Sequence, residues 1–590
     1  MKHRSSDFKL WSNLFFRLLP YQVLLLMIDA SNGIVDSICS SNFIGQTGMN
    51  AIGLYSPLNH FLFAMSIMLV SGSQLLMGKA MGRNKMDSVK NYFSTDLIIA
   101  VLISCCISVL MIIASLTDAT RVLTDNIADR QGLNQYLLSQ SFGIPALVLG
   151  QQLFSFLSME NQRKRTMVAS LVCIVTNAAT DLLLVGALDM GTFGLGLGSS
   201  IALWVFCAVM LQYYISGKSQ LEFSLRAMVW KDSLTIFRCG YTGAISRFVE
   251  MFRCLVVNAL ILKYVGNSGI SAFAAVNSVM AVFWPIAFGM VAVTRMLLSI
   301  TIGEEDRQSL TDIMRVVLQR GTLLITGIAA FIILMASPLT NMFYHDPSDP
   351  VYAMTMMGFR ILPLCMPLAV VSLNMVCYSQ AMEKKFLANL LPIVDGAVSV
   401  IVFSFILIPV WHMNGLYIAN ILNGFVCAAI IIAYSIKHNH HFPRSMEDLL
   451  VIPENFGTEE NERIDIGVSG LKEVPNISRQ VIDFCRTRGI DERRSYFSGL
   501  AMEEIAGNIF EHGFQKDKRR HEVALRVVHK DNDVILRILD DCRQFNPMER
   551  IKSVDSSDIT SNIGIRLVLS IVKDVQYQNL LGLNVLTLRL

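Results

Sequence analysis

Four stretches of the chain set ionisable side chains inside runs that are otherwise apolar. Asp36 lies in the first such run, with Asp29 two turns earlier on roughly the same helix face. Asn177 and Asp181 stand four residues apart in a later run, so a helix places an amide and a carboxylate side by side. Glu250 falls between Arg247 and Arg253 at spacings of three, and Asp395 sits beside Gly396. A charged side chain at mid-bilayer depth is costly unless it faces a cavity or a partner, so each is a candidate transport residue. Carboxylate and amide oxygens together suit a proton or a hard cation such as Na+, and the residue types leave both open. Glu250 reads equally well as the neutraliser of its two arginines, and Asp395 as the cap or kink of its helix. A fifth constellation is of another kind. Glu504, Asn508 and His512 recur every fourth residue near the C-terminus, a polar stripe along a helix that would otherwise pack a core.

The elements that must hold these groups are long apolar helices. Of 590 residues 53% are hydrophobic and 16% charged, and the mean hydropathy of +0.49 excludes an ordinary soluble protein. Apolar runs of membrane-spanning length recur as far as Ile436. We read twelve of them, near 21–44, 54–78, 95–116, 136–157, 166–187 and 195–216, then 234–262, 270–300, 320–337, 352–380, 387–410 and 414–436. Lys and Arg collect in alternate loops, such as Arg163, Lys164 and Arg165 or Lys384 and Lys385, which puts both termini on the cytoplasmic side of a cell membrane. The net charge of +3 is too small, and too scattered, to argue for nucleic acid. Twelve cysteines show no metal-binding spacing and read as small apolar residues rather than disulfide partners.

The twelve runs form two related sets. The stretch from Gly45 to Gly82 returns as Gly266 to Gly303: Gly45 pairs with Gly266, Gly48 with Gly269, Ala51 with Ala272 and Gly82 with Gly303, all at one offset. Gly194-Leu195 returns as Gly415-Leu416 at the same offset. Two six-helix repeats in the same orientation imply a pseudo-two-fold axis along the membrane normal and a cavity between the lobes. The domain layout expected is a cytosolic leader over 1–20, a first lobe over 21–216, a linker over 217–233, a second lobe over 234–436, a second linker over 437–455 and a soluble domain over 456–590. That last part alternates strand and helix periods: strands at 464–468, 521–530, 534–540, 575–581 and 585–589, and helices at 474–488, 493–512 and 563–574, an α/β layer domain.

Several motifs carry resemblances. VDS in the first span, GQTGMNAIGLYSP after it, GKAMGRN after the second and NAATDLLL in the fifth together resemble multidrug and toxic compound extrusion (MATE) transporters over about residues 20–436. The resemblance implies a V-shaped cavity and export of small amphiphilic or cationic compounds against an inward flow of H+ or Na+. It lays the family's first-span carboxylate on Asp36, its fifth-span pair on Asn177 and Asp181, and the span-seven glutamate of one branch on Glu250. In the tail, AMEEIAGNIFEHGF, ILDDCRQFNP and NIGIRLVLSIVKDV resemble the boxes of GHKL ATPases, closest to anti-sigma-factor serine kinases and histidine-kinase catalytic domains. This resemblance implies Mg-ATP, with Asn508 holding Mg2+, Glu504 as general base or metal-orienting group, His512 on the same helix face, Asp540 reading the adenine amino group and Gly564 in the last glycine box. Cys542, Gln544 and Asn562 replace glycines of that pattern. With no P-loop in the chain, the tail is expected to regulate transport rather than power it, and a cytosolic protein is its expected partner. The alternatives are a lipid-linked precursor flippase, supported by Arg247, Arg253 and Arg295, and a membrane receptor with a serine-kinase-like signalling tail.

Overall fold

The computed structural model describes residues 4–83, 85–122, 126–217, 219, 221, 223–453, 456–457, 462–467, 473–513, 521–530, 533–542, 546, 563–580 and 583–590. The first lobe is built from α1 (Arg4–Cys39), α2 (Gln46–Gly82), α3 (Met86–Leu116), α4 (Ile127–Ser141), α5 (Ile144–Met159), α6 (Arg163–Asp181) and α7 (Gly191–Ile215). The second comprises α8 (Trp230–Tyr264), α9 (Asn267–Gly303), α10 (Arg307–Arg315), α11 (Thr322–Leu334), α12 (Ala336–Asn341), α13 (Pro350–Ile361), α14 (Met366–Ala381), α15 (Lys385–Ile393) and α16 (Ser399–Asn439).

Among the described residues nine helical runs are long and apolar enough to cross a membrane, and the pair α4 and α5, bent by 45°, makes a tenth. One run, 385–439, holds two crossings, because His412 leaves the helical region at φ 51° and the chain turns there. The remaining segment is α8, whose Lys231, Asp232, Arg238, Arg247, Glu250 and Arg253 keep it from reading as purely apolar. The protein is therefore a polytopic helical membrane protein of about twelve spans. One expectation changes. Residues 4–20 are not a separate leader but the opening turns of α1, because Leu10, Trp11, Leu14, Phe15, Leu18 and Leu19 recur at helical spacing and are buried with residues of α9 in one core.

The duplication is visible in the backbone. Gly45 ends the first helix of one repeat at φ 83° and Gly266 ends the first helix of the other at φ 88°, a left-handed region that glycine enters without strain. The lobes meet where α2 crosses α9. A Cβ on Gly82 would lie 2.2 Å from the Ile300 carbonyl oxygen, and one on Gly303 would lie 2.2 Å from that of Lys79. Only glycine lets the two backbones approach this closely.

The C-terminal part is a five-stranded antiparallel sheet, β1 (Arg463–Gly467), β2 (Val523–Lys530), β3 (Asp533–Asp540), β4 (Asp574–Leu580) and β5 (Leu583–Arg589), in the order β1-β2-β3-β5-β4. The short α17 (Met446–Leu450) precedes it, and α18 (Val474–Thr487), α19 (Glu492–Asn508) and α20 (Ile563–Ile571) accompany it. One face of the sheet, with Ile466, Leu525, Val527, Leu536, Ile538, Leu586 and Leu588, forms a core with Val481, Met502 and Val568 of these helices. The alternation of the strands sends the intervening residues to the opposite face.

Candidate functional site

In the first lobe α1, α4, α6 and α7 converge on Asp36. Its Oδ1 accepts hydrogen bonds from Asn177 Nδ2 at 3.3 Å and Ser199 Oγ at 3.2 Å. Ser199 Oγ also lies 2.9 Å from Oδ2, to which the Tyr136 hydroxyl donates at 3.4 Å. Tyr136 is itself held by Gln140 Nε2 at 2.9 Å and by edge-on packing with Tyr55. Asn177 Nδ2 is shared with Asp181 Oδ2 at 3.5 Å, and the two carboxyls lie within hydrogen-bonding reach of each other. Asp36, Asn177 and Asp181 are all buried.

Two oxygens of this cluster, Asn177 Oδ1 and Asp181 Oδ1, have no hydrogen-bond partner among the described residues. Buried polar atoms are costly unless paired, so the cluster suits a small positive occupant, a proton or a hard cation bound by oxygen. Space for Asp181 comes from Gly198 of α7, where a Cβ would fall 2.1 Å from Asp181 Oδ1. Just beyond Asp181 the helix widens into a π-turn over Leu182–Ala187, an irregularity frequent at functional sites. Sequence reading placed Asp36 and the pair Asn177 and Asp181 in two spans of one lobe, and the structure brings them together; sequence reading missed Tyr136, Ser199 and Gly198, which look like ordinary packing residues. It also missed Asp96 of α3, fully buried within an apolar span, a signal as plain as the others.

The other candidates stand apart. Asp29 lies on α1, with its side chain outside the described residues. Asp395, inside the π-turn Val394–Val398, accepts from Asn423 Nδ2 at 2.7 Å and Ser372 Oγ at 3.0 Å, two neutral donors in the second lobe. Glu250 pairs with Arg247 at 3.1 Å and Arg253 at 3.6 Å, and its side chain is 41% exposed. Arg247 also stacks on Phe288.

In the tail, Gly564 and Glu504 pack in contact: a Cβ on residue 564 would lie 1.9 Å from Glu504 Oε2. Asn508 Nδ2 donates to the Glu504 carbonyl oxygen at 2.7 Å, which turns Oδ1 into the atom available for a metal. After Asn508 the helix widens into a π-turn, Ile509–Gly513, so the regular four-residue stripe ends there; the His512 side chain lies outside the described residues. Asp540, at the end of β3, accepts from Asn584 Nδ2 at 2.8 Å and the Cys542 amide at 3.0 Å, both at Oδ1. Burial pushes its carboxyl up to about 6, although Asn584 and Cys542 partly offset it. Gln544 and Asn562 lie outside the described residues. By their chemistry, two carboxylates, an amide oxygen and a glycine, Glu504, Asp540, Asn508 and Gly564 are groups that a nucleotide and its metal could use.

A family model described as MatE matches residues 24–183, and one described as a histidine kinase-like ATPase domain matches residues 469–590. Multidrug resistance protein NorM of Vibrio parahaemolyticus is 24% identical over 290 residues, 46% of this chain and 61% of that protein. NorM of Vibrio cholerae is 23% identical over 241 residues, covering 39% and 52%. The chain thus spans between half and two thirds of the length of these relatives. Among solved structures, an outward-facing multidrug resistance MATE transporter of the MOP superfamily superposes with a TM-score of 0.66 at 17% identity, over 71% of this chain and 94% of that one. A MOP superfamily transporter from Pyrococcus furiosus, reported with a binding pocket of reversed polarity, gives 0.65 at 17% identity with the same coverage.

Proposed function

The chain joins a MATE-type membrane body to a C-terminal histidine kinase-like ATPase domain, and from that premise we propose that it is a cation-coupled antiporter exporting small amphiphilic or cationic compounds. The observation that carries this reading is the buried cluster of Asp36, Asn177 and Asp181, two of whose oxygens have no partner among the described residues. Two adjacent carboxyls repel unless a proton or a cation lies between them, so occupancy changes the energy of the packing of α1 against α6 and α7. A site that couples ion binding to helix packing within one lobe can bias the two-lobed body between its conformations. Glu250 with its arginines, Asp395 and Asp29 are candidate substrate or ion contacts outside this cluster. The cytosolic domain, holding Mg-ATP through Asp540, Gly564, Asn508 and Glu504, regulates this movement.

The flippase alternative needs unneutralised cations facing the cavity; Arg247 and Arg253 share Glu250, which leaves Arg295, whose buried Nε has no hydrogen-bond partner among the described residues, as the arginine that favours it. The test is purified full-length protein in proteoliposomes, a fluorescent organic cation, and an imposed pH or Na+ gradient without ATP. Gradient-driven movement is expected, and Asp36→Asn and Asp181→Asn should each abolish it in protein that still inserts and folds. Coupled efflux that survives both substitutions would refute the assignment.

A further inference from the structure

The face of the tail's sheet away from its helices carries one polar row across all five strands. Paired in register, it reads Asp465, Arg526, Arg537, Thr587 and Gln576. The row points at the turn that follows α9. Arg526 lies 2.5 Å and Arg537 3.0 Å from Asp306 Oδ2, Arg537 also pairs with Glu304, and Arg526 Nε donates to Asp465 at 2.5 Å. All four interdomain side chains are nearly buried, at 9% and 11% exposure for the arginines and 2% and 9% for Asp306 and Glu304. Burial alone would raise the Asp306 carboxyl, but the two guanidiniums hold it below the ordinary range.

This contact straddles the line where the lobes meet. The sheet faces the first lobe where Gln578 and Asn579 line one crevice with Met81, Met159 and Glu160, and the second through Leu297, Ile300 and Glu304, beside which Trp11 and Leu14 of α1 are packed. A cavity of about 380 Å³ lies between the sheet, Gly82 and Gly303. The duplication explains why the tail sits on one repeat's turn and not the other's. At the offset of 221 residues Arg83 corresponds to Glu304 and Lys85 to Asp306, so the equivalent turn of the first lobe is cationic and would repel Arg526 and Arg537.

We propose that the outer face of this sheet is a lock on the cytosolic side of the membrane body, docking through Arg526 and Arg537 onto Glu304 and Asp306 only while the glycine seam of α2 and α9 is closed. Parting the lobes at that end would carry Met81 and Met159 away from Gln578 and Asn579, or strip the arginines from their buried carboxylates, and either move leaves charge or apolar surface unpaired. Strand β3 ties the lock to the ligand pocket. Arg537 faces the membrane body, and Asp540, three residues on, projects from the other face towards the pocket. The lock deepens the regulatory role given to the tail above, and it is testable without any transport.

Spin labels on unnatural residues at Lys164 and Lys385, exposed positions related by the same offset, report the separation of the lobes at the cytosolic end without touching the twelve native cysteines. In the full-length protein one short distance should dominate. Arg526→Glu with Arg537→Glu should raise the long-distance fraction about tenfold or more, the effect of unpairing a buried charge contact. Adding Glu304→Arg and Asp306→Arg should restore the short distance. An unchanged distribution after the first pair of reversals overturns the lock. A change that the second pair fails to reverse also overturns it, by tracing the effect to a damaged tail. Failure of gradient-driven transport in the wild type would sink the antiporter reading and leave these distances as they are.

Discussion

Gly198→Ala tests the proposed ion cluster without touching a residue that would bind the ion. An ideal Cβ at this position lies 2.1 Å from Asp181 Oδ1, 3.2 Å from Thr180 Oγ1 and 3.3 Å from Asp181 Cγ. A comfortable carbon-to-oxygen contact is more than an ångström longer than the first of these, and Asp181 is fully buried, so the carboxylate must swing away from Asn177 or α7 must retreat. Overpacking of this kind costs about 1–3 kcal/mol. If the strain falls on the occupied cluster, the concentration of ion needed for half-maximal transport should rise about 5- to 150-fold. The assay is ion-dependent efflux in proteoliposomes, with Gly327→Ala as the control, since nothing lies within 4 Å of a Cβ there. A variant that inserts normally, transports, and keeps the wild-type ion dependence would refute the claim that Asp181 binds the coupling ion.

Three further outcomes are expected. Nucleotide binding by the full-length protein should weaken as pH falls through about 6, because Asp540 must be ionised to accept from an amino group, and isothermal titration across that range reads it. The same upward shift from 3.8 means that the folded state favours the protonated form, so this group's contribution to stability is fully present below 3.8 and is lost as pH rises through about 6. Gly564→Ala should push Glu504 aside and reduce nucleotide affinity by about 5-fold or more, with little change in gradient-driven transport measured without ATP. Alanine at Gly82 or Gly303 would set a Cβ 2.2 Å from backbone of the opposite lobe, so either variant should lower the melting temperature of the detergent-solubilised protein and lengthen the Lys164 to Lys385 distance.

The sequence made the helices, the duplication and the first-lobe carboxylates legible, because apolar length, a constant offset and charges in apolar runs are local signals; that Asp36 meets Asn177 and Asp181 came from the structure. The strands of the tail were legible within a residue or two, since each alternates apolar and polar positions. What was hidden depended on distant partners. Ser199 and Tyr136 become ligands of Asp36 only through the packing of α4 and α7 against α1. Arg526 and Arg537 look like the solvated side of two strands until Asp306 is brought beneath them. The opening turns of α1 were read as a leader because charges at Lys2, Arg4, Asp7 and Lys9 masked the apolar face beginning at Leu10.

The seam glycines also bear on ancestry. Gly82 meets Ile300 and Gly303 meets Lys79, and the second contact is the first with the 221-residue offset exchanged between partners. That reciprocity is the signature of an isologous interface, in which one patch binds its own copy across a two-fold axis. The geometry is what a homodimer of six-helix units would leave behind after gene fusion. Fusion frees the two copies to differ, and here the difference is a reversal of charge just past the seam, Arg83 and Lys85 in one copy against Glu304 and Asp306 in the other. A symmetric dimer would have offered a single appended domain two identical berths; the fused chain offers one.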